Sequence, residues 1–251
     1  MIATDAINQI AAAAQPGKAA EMAAYHKADR PYLGTANPEI DRLCKAWRAD
    51  LTLEERLHLA EDLWNSNIHE ARIAAAKLLT QARIRPEDET AWALICTWVP
   101  QFDAWAIADA VCIAAQKRLI ADPSRLDTVE GWTQSPLMWA RRAALVATLP
   151  FAKLNHPSAV DLEARERALG WAETYLSETD WFMRKAVAWW LRDLSKHAPE
   201  RTAAFLIEHG PAMKKWARIE AAQYLPEGLY AEPEIIEPDD PSAAPDEGET
   251  A

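Results

Sequence analysis

The chain is built from amphipathic helical segments that follow one another with little between them. Residues 51–66 start with Thr52 and place Glu55 three residues later, a pairing typical of a capping box at a helix N-terminus, and leucines then recur in helical register. The same spacing recurs, often after Asp or Pro, in eight segments: 69–82, 87–98, 103–121, 136–149, 160–176, 180–196, 199–209 and 213–225. Residues 127–135 fit either a connection or a short helix. We find no convincing strand, so the sequence predicts an all-α protein.

The composition supports this prediction. The 251 residues are 50% hydrophobic and include only 7 Gly, which favours a helical chain that buries a large core. Cys44, Cys96 and Cys112 are widely spaced in apolar surroundings, as expected of reduced core thiols in a cytosolic protein. No leader segment or membrane-spanning stretch is apparent, so we expect a cytoplasmic protein without a membrane partner.

Charge is unevenly distributed along the chain. The net charge is -11, but eight acidic residues, four prolines and no Lys or Arg fall within residues 232–251. Such a composition predicts a disordered acidic tail over residues 231–251, after a single domain over residues 1–230. Between Trp139 and Arg218 there are 13 Lys and Arg against 9 Asp and Glu. A basic face is therefore compatible with the negative total.

A weak internal similarity pairs an arginine with small residues in alternate helices. It appears after Arg72, Arg141, Arg184 and Arg218, and the later members are separated by 43 and 34 residues. This spacing is close to the period of two-helix solenoid repeats. We therefore expect antiparallel helical repeats in which these helices pack closely, present their basic ends outward, and form a concave surface that suits a rod-shaped ligand.

Four scattered residues have side chains that suit a cationic reaction. Trp105 and Asp109 stand at i and i+4 of one helical segment and project from the same face, whereas Arg142 and Trp189 lie in later segments. A carboxylate beside aromatic rings stabilises a developing positive charge. From spacing alone, however, large aromatics are more often packing residues and arginines more often surface residues. The six histidines show no metal-ligand spacing, and no phosphate-binding loop or nucleophile motif is present.

The succession of short motifs resembles the AlkD-type DNA alkylation repair family over approximately residues 22–226. The motifs that carry the resemblance are YHKADRPYLG from Tyr25 to Gly34, Leu63-Trp64 with His69-Glu70-Ala71-Arg72, Trp105 to Asp109, Trp139 to Arg142, and FMRKAVAWWLR from Phe182 to Arg192. Members of this family are DNA glycosylases that remove N3- and N7-alkylated purines. The resemblance implies HEAT-like repeats that form a right-handed superhelical solenoid with a concave DNA-binding groove.

The resemblance also assigns roles at matching positions. It implies that Asp109 is the catalytic carboxylate, that Trp105 and Trp189 line the cleft, and that Arg142 contacts DNA near the lesion. It further implies that the lesion does not enter a tight base-specific pocket. The chain departs from the family pattern at Ala106, where many relatives carry a second acidic residue, although Asp103 precedes the pair. The connection between Arg142 and Trp189 is also longer than in the family, with LNHPSAVDLEARE as the extra loop and helix start.

Three hypotheses about function follow. The first is a monofunctional alkylpurine DNA glycosylase that acts as a monomer on double-stranded DNA containing alkylated purines, close to the nucleoid. It needs no cofactor and no metal. The second is a weakly catalytic or non-catalytic relative that binds damaged or branched DNA. The third is a helical-repeat scaffold for other proteins, which is all that the fold by itself implies.

Overall fold

The computed structural model describes residues 2–233, and these residues form thirteen α-helices joined by short connections and single 3-10 turns. In chain order they are α1 (Ala3–Ala12), α2 (Lys18–His26), α3 (Asn37–Asp50), α4 (Leu53–Asn65), α5 (His69–Leu78), α6 (Glu89–Trp98), α7 (Trp105–Ala121), α8 (Leu126–Thr133), α9 (Met138–Ala152), α10 (Ala159–Thr174), α11 (Trp181–His197), α12 (Pro199–His209) and α13 (Lys215–Ala221). No strand occurs in this part of the chain, so the all-α prediction is confirmed.

The capping box predicted from the sequence is present. Thr52 and Glu55 form the reciprocal capping box at the start of α4, and α12 has the predicted bounds. The ambiguous residues near 127–135 form α8. In the stretch where the sequence predicted an extra loop and helix start, Ser158 forms a second capping box with Asp161 at the start of α10.

The described residues divide into two compact units, and the division falls inside α9, between residues 147 and 148. A single domain over residues 1–230 remains a prediction. The predicted acidic tail lies, from residue 234 onward, outside the described residues. Within residues 2–233, none of the helices combines the length and the apolarity that a membrane-spanning segment needs.

Helix α5 is the central element of the first unit. Its alanines Ala71, Ala74, Ala75 and Ala76 are fully buried, and α5 packs against α3, α4 and α7. Small side chains on several faces of one helix allow close packing of its neighbours, because little side-chain volume separates the backbones. Around α5 the core contains stacked indoles, with the ring centroids of Trp64 and Trp98 separated by 4.7 Å.

The recurring arginines have a structural role that the sequence did not predict. Each donates to backbone carbonyls just before its own helix: Arg72 to Trp64 at 3.1 Å, Arg141 to Ser135 at 2.9 Å, Arg184 to Glu178 at 3.0 Å, and Arg218 to Met213. Arg72 and Arg218 are 9% and 1% exposed, so the expectation that these basic ends face outward is wrong for them. Carbonyls at helix ends lack intrahelical partners and carry partial negative charge, which favours inward-turned guanidinium groups.

The three cysteines form no disulfides. Cys44 and Cys112 are buried, whereas Cys96 is half-buried, so the prediction of core thiols holds fully for two of them. Burial raises the pKa of the Cys44 thiol to about 12, which keeps it protonated and unreactive near neutral pH.

Candidate active site

Three of the four predicted site residues lie in the first unit, and two of them form an ion pair. Trp105 is the first residue of α7, and Asp109 follows one turn later on the same face. Arg142 extends from α9 and donates from Nη1 to Oδ1 of Asp109 and from Nη2 to Oδ2 at 3.2 Å. The Asp109 side chain remains 22% exposed, so its carboxylate is still accessible from solvent.

Arg142 is placed differently from a typical phosphate contact. The residue is only 4% exposed, and its guanidinium carbon lies 5.7 Å from the centroid of the Trp139 ring. A paired arginine behind a partly exposed aspartate fixes the orientation of the carboxylate, because two parallel hydrogen bonds restrict its rotation. The predicted contact between Arg142 and DNA therefore remains a prediction, whereas its contact with Asp109 is part of the structure.

Asp109 and Trp105 line an open trough of about 320 Å³. The floor follows α5 through His69, Ile73 and Lys77, which recur every four residues on one face of that helix. The side belonging to α7 also carries Ala106, Ala110 and Ile113, the side belonging to α3 carries Asn37 and Asp41, and Met22, His26 and Thr80 complete the lining. We call this site the α5 trough.

A cluster of aromatic rings holds Trp105 in place at the trough. The His26 ring centroid lies 5.3 Å from that of Trp105, and the exposed Tyr25 meets the same indole edge-on at 5.9 Å. Behind His26, His69 stacks at 4.4 Å and is followed by Tyr32 at 4.7 Å from His69. These four residues belong to the motifs that carry the family resemblance, but no individual role for any of them was apparent from the sequence. In the structure their shared role is to support the indole of Trp105.

Both histidines of the cluster are held in the neutral form. Burial, with smaller contributions from His26 and Arg30, lowers the pKa of His69 to about 3. Burial also lowers the pKa of His26, although Glu70 opposes that shift. A neutral imidazole has one donor and one acceptor nitrogen, so near neutral pH these rings add polarity to the trough without adding positive charge.

The segment before α3 is anchored by one buried carboxylate. Glu70, fully buried at the start of α5, accepts hydrogen bonds from the backbone N–H groups of Leu33 at 2.9 Å, Gly34 at 2.6 Å and Thr35 at 3.3 Å. Gly34 has φ of 89°, and a Cβ there would lie 2.8 Å from the backbone nitrogen of Ala19. Glycine is required at this position for both reasons.

Asp103, the acidic residue that precedes Trp105, is paired with an arginine. It forms a salt bridge with Arg30, whose side chain is fully buried, while the Asp103 side chain is half exposed. This pair ties the loop before α3 to the segment that precedes α7. Asp103 is also absent from the residues that line the trough, so Asp109 and Asp41 are the carboxylates that face it in the described chain.

Trp189 belongs to the second unit and lies on α11. It is half-buried, whereas the adjacent Trp190, about 100° away around the helix, is fully buried. Along the Trp189 side of α11, two tryptophans and three basic residues lie within an arc of about 80°: Trp181, Lys185, Trp189, Arg192 and Lys196. All five are half-buried or exposed. We call this set the α11 stripe.

One carboxylate holds two of the stripe cations. Glu220 of α13 accepts from Lys185 at 3.0 Å and from Arg192 at 2.9 Å, and its side chain is 13% exposed. The amino group of Lys196 lies 5.7 Å from the centroid of the Tyr224 ring. Three of the 13 basic residues counted between Trp139 and Arg218 thus lie on one helix face, where an internal anion partly neutralises two of them.

Comparisons with known proteins identify the fold and the family of the chain. A comparison with curated proteins gave no match. Among solved structures, the chain is similar to a predicted DNA alkylation repair enzyme from Enterococcus faecalis, with 23% identity, a TM-score of 0.70, and coverage of 86% of this chain and 98% of that one. It is also similar to AlkD2 from Streptococcus mutans, with 18% identity, a TM-score of 0.57, and coverage of 76% and 90%.

A third similar structure is smu.31 from Streptococcus mutans UA159, with 18% identity, a TM-score of 0.57, and coverage of 75% of this chain and 92% of that one. At these identities the solved structures show the shared fold, which is a helical-repeat fold. The family model described as DNA alkylation repair enzyme matches residues 6–225, which is most of the chain. The protein therefore belongs to the DNA alkylation repair enzyme family.

Proposed function

We propose that this protein is a monofunctional DNA glycosylase that hydrolyses the N-glycosidic bond of N3- or N7-alkylated purines. Alkylation gives the purine a formal positive charge, so the electron pair of the breaking bond moves onto the ring and neutralises it. The base leaves without a general acid. The sugar then carries the positive charge as an oxocarbenium-like species, which water attacks at C1′ with loss of a proton.

The observation that carries this proposal is the partly exposed Asp109 carboxylate beside Trp105 in the α5 trough. A fixed negative charge stabilises the developing sugar cation more than it stabilises the ground state, so it accelerates the chemical step. The indole of Trp105 adds the negative face of its ring and excludes water from one side. Arg142 is a positioning residue in this scheme, because it orients the carboxylate from behind.

We assign phosphate binding to the α11 stripe. Its cations are more exposed than Arg142, with side-chain exposures of 32% for Lys185 and 29% for Arg192. Lys and Arg that neutralise phosphates supply most of the affinity for duplex DNA, and interleaved aromatics add contacts with sugars and bases. Four expectations remain predictions. They are that Trp189 lies in the same cleft as Asp109, that the partner is double-stranded alkylated DNA, that the protein acts as a monomer, and that it is cytoplasmic and nucleoid-associated.

The test is incubation of the protein with methylated duplex DNA and measurement of the free alkylated bases. Asp109→Asn should reduce the rate of release by roughly 10- to 1000-fold, with little loss of DNA binding, because one electrostatic stabiliser is removed. Asp62→Asn on the exposed face of α4 removes the same charge outside the trough and should leave the rate unchanged.

Each alternative function has its own outcome in this experiment. DNA affinity without base release by the wild-type protein would favour a binding protein for damaged DNA. The absence of any salt-dependent DNA affinity would favour a protein scaffold. Base release with an unchanged rate in Asp109→Asn would refute the mechanism while leaving the activity in place.

A further inference from the structure

The α11 stripe is a positive surface that already accepts a carboxylate. Glu220 of α13 accepts from Lys185 at 3.0 Å and from Arg192 at 2.9 Å, so one internal anion serves two of the three stripe cations. Lys196, the third cation, is exposed in the last turn of α11. The Lys185 amino group lies 5.9 Å from the centroid of the Trp181 ring. Cations beside aromatic faces suit a partner that offers carboxylates together with apolar side chains.

The C-terminal end of the described chain returns to the elements around the stripe. After α13, the ring of Tyr224 has its centroid 5.7 Å from the amino group of Lys196. Glu232 accepts from Nε of Arg218 on α13 at 2.5 Å and from the hydroxyl of Tyr230 at 3.3 Å. Arg218 is 1% exposed, so Glu232 supplies the counter-charge of a buried guanidinium. The chain is therefore anchored on α13, which packs against α11, immediately before the described residues end.

Residues 234–251, which we call the acidic segment, have the charge that complements the stripe. They lie outside the described residues and include seven Asp and Glu, no Lys or Arg, and the apolar pair Ile235 and Ile236. A chain of 18 residues spans at most roughly 60 Å, whereas the 17 residues of α11 rise by about 25 Å. The acidic segment is therefore long enough to follow the whole stripe from its anchor on α13.

The covalent tether makes contacts between the two effective. A single exposed ion pair contributes little, because water and salt screen it. A segment that is joined to the same chain close to its binding surface, however, has an effective concentration in the millimolar range. Several weak ion pairs formed at that concentration occupy the cations to which we assign phosphate binding.

We propose that the acidic segment binds the α11 stripe of its own chain and competes there with DNA for Lys185, Arg192 and Lys196. The contact itself is independent of the proposed glycosylase activity, and only the competition rests on the proposed phosphate binding at the stripe. A duplex displaces the segment before its phosphates reach these cations. The segment therefore lowers the affinity for DNA most strongly at low salt, where ion pairs are least screened.

The first experiment is zero-length carbodiimide cross-linking of the full-length protein, with the products identified by mass spectrometry. A carbodiimide joins an amine to a carboxylate in contact with it, and the Lys185–Glu220 pair is the internal positive control. Lys185 or Lys196 should couple to carboxylates of the acidic segment. Salt at about 1 M should suppress these products, because it shortens the Debye length to about 3 Å. Lys45, on the exposed face of α3, is the control lysine and should couple far less.

The cross-linked products also identify which chain supplies the segment. An intramolecular contact gives products within one chain, in a yield that does not depend on protein concentration. Products that join two chains would assign the stripe to the segment of a second copy and overturn the proposal. Absence of coupling at the stripe lysines, or equal coupling at Lys45, would also overturn it.

The second experiment replaces all seven acidic residues of the segment by the corresponding amides in the full-length chain. Affinity for an undamaged duplex should rise about 3- to 10-fold at low salt, and the gain should disappear at high salt. In a chain that also carries Arg192→Gln and Lys196→Gln, the gain should fall below about 2-fold, because the cations that the segment covers are absent. With Arg42→Gln and Lys45→Gln on the exposed face of α3, which remove the same charges outside the stripe, the full gain should remain.

The combined results separate this inference from the proposed function. A full gain in affinity despite both stripe substitutions would show that net charge alone acts and would overturn the competition. Base release and DNA binding without cross-links at the stripe would overturn this inference and leave the glycosylase proposal in place. Intramolecular cross-links in a protein that neither binds DNA nor releases alkylated bases would overturn the proposed function, and with it the competition, while supporting the contact.

Discussion

Replacement of Arg142 by methionine separates a positioning role from a phosphate contact. Methionine has a similar length and suits a buried position, but it removes both hydrogen bonds to Asp109. Hydrogen bonds to charged groups contribute roughly 1.5–3 kcal/mol each, and Asp109 remains 22% exposed, so water replaces part of this loss. We expect the free energy of unfolding, measured in urea, to fall by about 2–3 kcal/mol. With Asp109→Asn, a double-mutant cycle should give a coupling energy of roughly 1–3 kcal/mol.

The salt dependence of DNA binding provides the decisive second measurement. If Arg142 only positions Asp109, the slope of log affinity against log salt concentration should be the same in Arg142→Met and in the wild type. Arg192→Gln on the α11 stripe should instead reduce the slope by about 0.9, the value for one lost phosphate contact. The reasoning is refuted if Arg142→Met reduces the slope by that amount while the unfolding free energy changes by less than about 0.5 kcal/mol.

Three further predictions concern the stripe, the aromatic cluster and the backbone anchor. Glu220→Gln frees two stripe cations and should raise DNA affinity about 3- to 10-fold at low salt. The control Glu166→Gln breaks an ion pair with Arg201 elsewhere in the second unit and should have a smaller effect. An equal gain in both variants would indicate that net charge alone determines the change in affinity. The buried His69 stays neutral while its unfolded counterpart takes up a proton, so its contribution to stability is complete above about pH 6.5 and is lost as the pH falls toward 3. The unfolding free energy of the wild type should therefore decrease more steeply than that of His69→Phe, by up to about 1.4 kcal/mol per pH unit, and parallel curves would contradict the assignment. Glu70→Gln should lower the free energy of unfolding, measured in urea, by about 2–4 kcal/mol, because an amide cannot accept from three N–H groups as a carboxylate does. The substitution Glu54→Gln, at an exposed position, serves as the control. Similar effects of the two substitutions would refute the anchoring role of Glu70.

The helices were predictable because their signals are local. The apolar period and the Thr52–Glu55 pair depend only on residues within a turn or two of each other, and α4 begins where they indicated. The different exposures of Trp189 and Trp190 likewise reflect the geometry of a single helix, which sets adjacent residues about 100° apart.

The surroundings of the candidate site depend on distant partners, which spacing does not reveal. Arg142 and Asp109 are 33 residues apart, so a sequence alone gives no reason to pair them. His69 has no neighbours at metal-ligand spacing and gave no signal on its own, yet it meets His26 from another helix. The same limit explains why the orientation of the recurring arginines was wrongly expected, because no local sequence signal distinguishes a guanidinium that turns inward from one that turns outward.

The Glu70 anchor has a consequence for how the chain tolerates sequence change. A side chain that binds backbone amides is indifferent to the residues that carry those amides, so Leu33 can be exchanged for other residues without loss of the hydrogen bonds. Glu70 and Gly34 allow no such exchange, since one supplies the acceptor and the other the backbone geometry. The connection into α3 is therefore free to diverge at its side chains while two fixed positions preserve its path, so the surface presented there can change without rebuilding the helices beneath it.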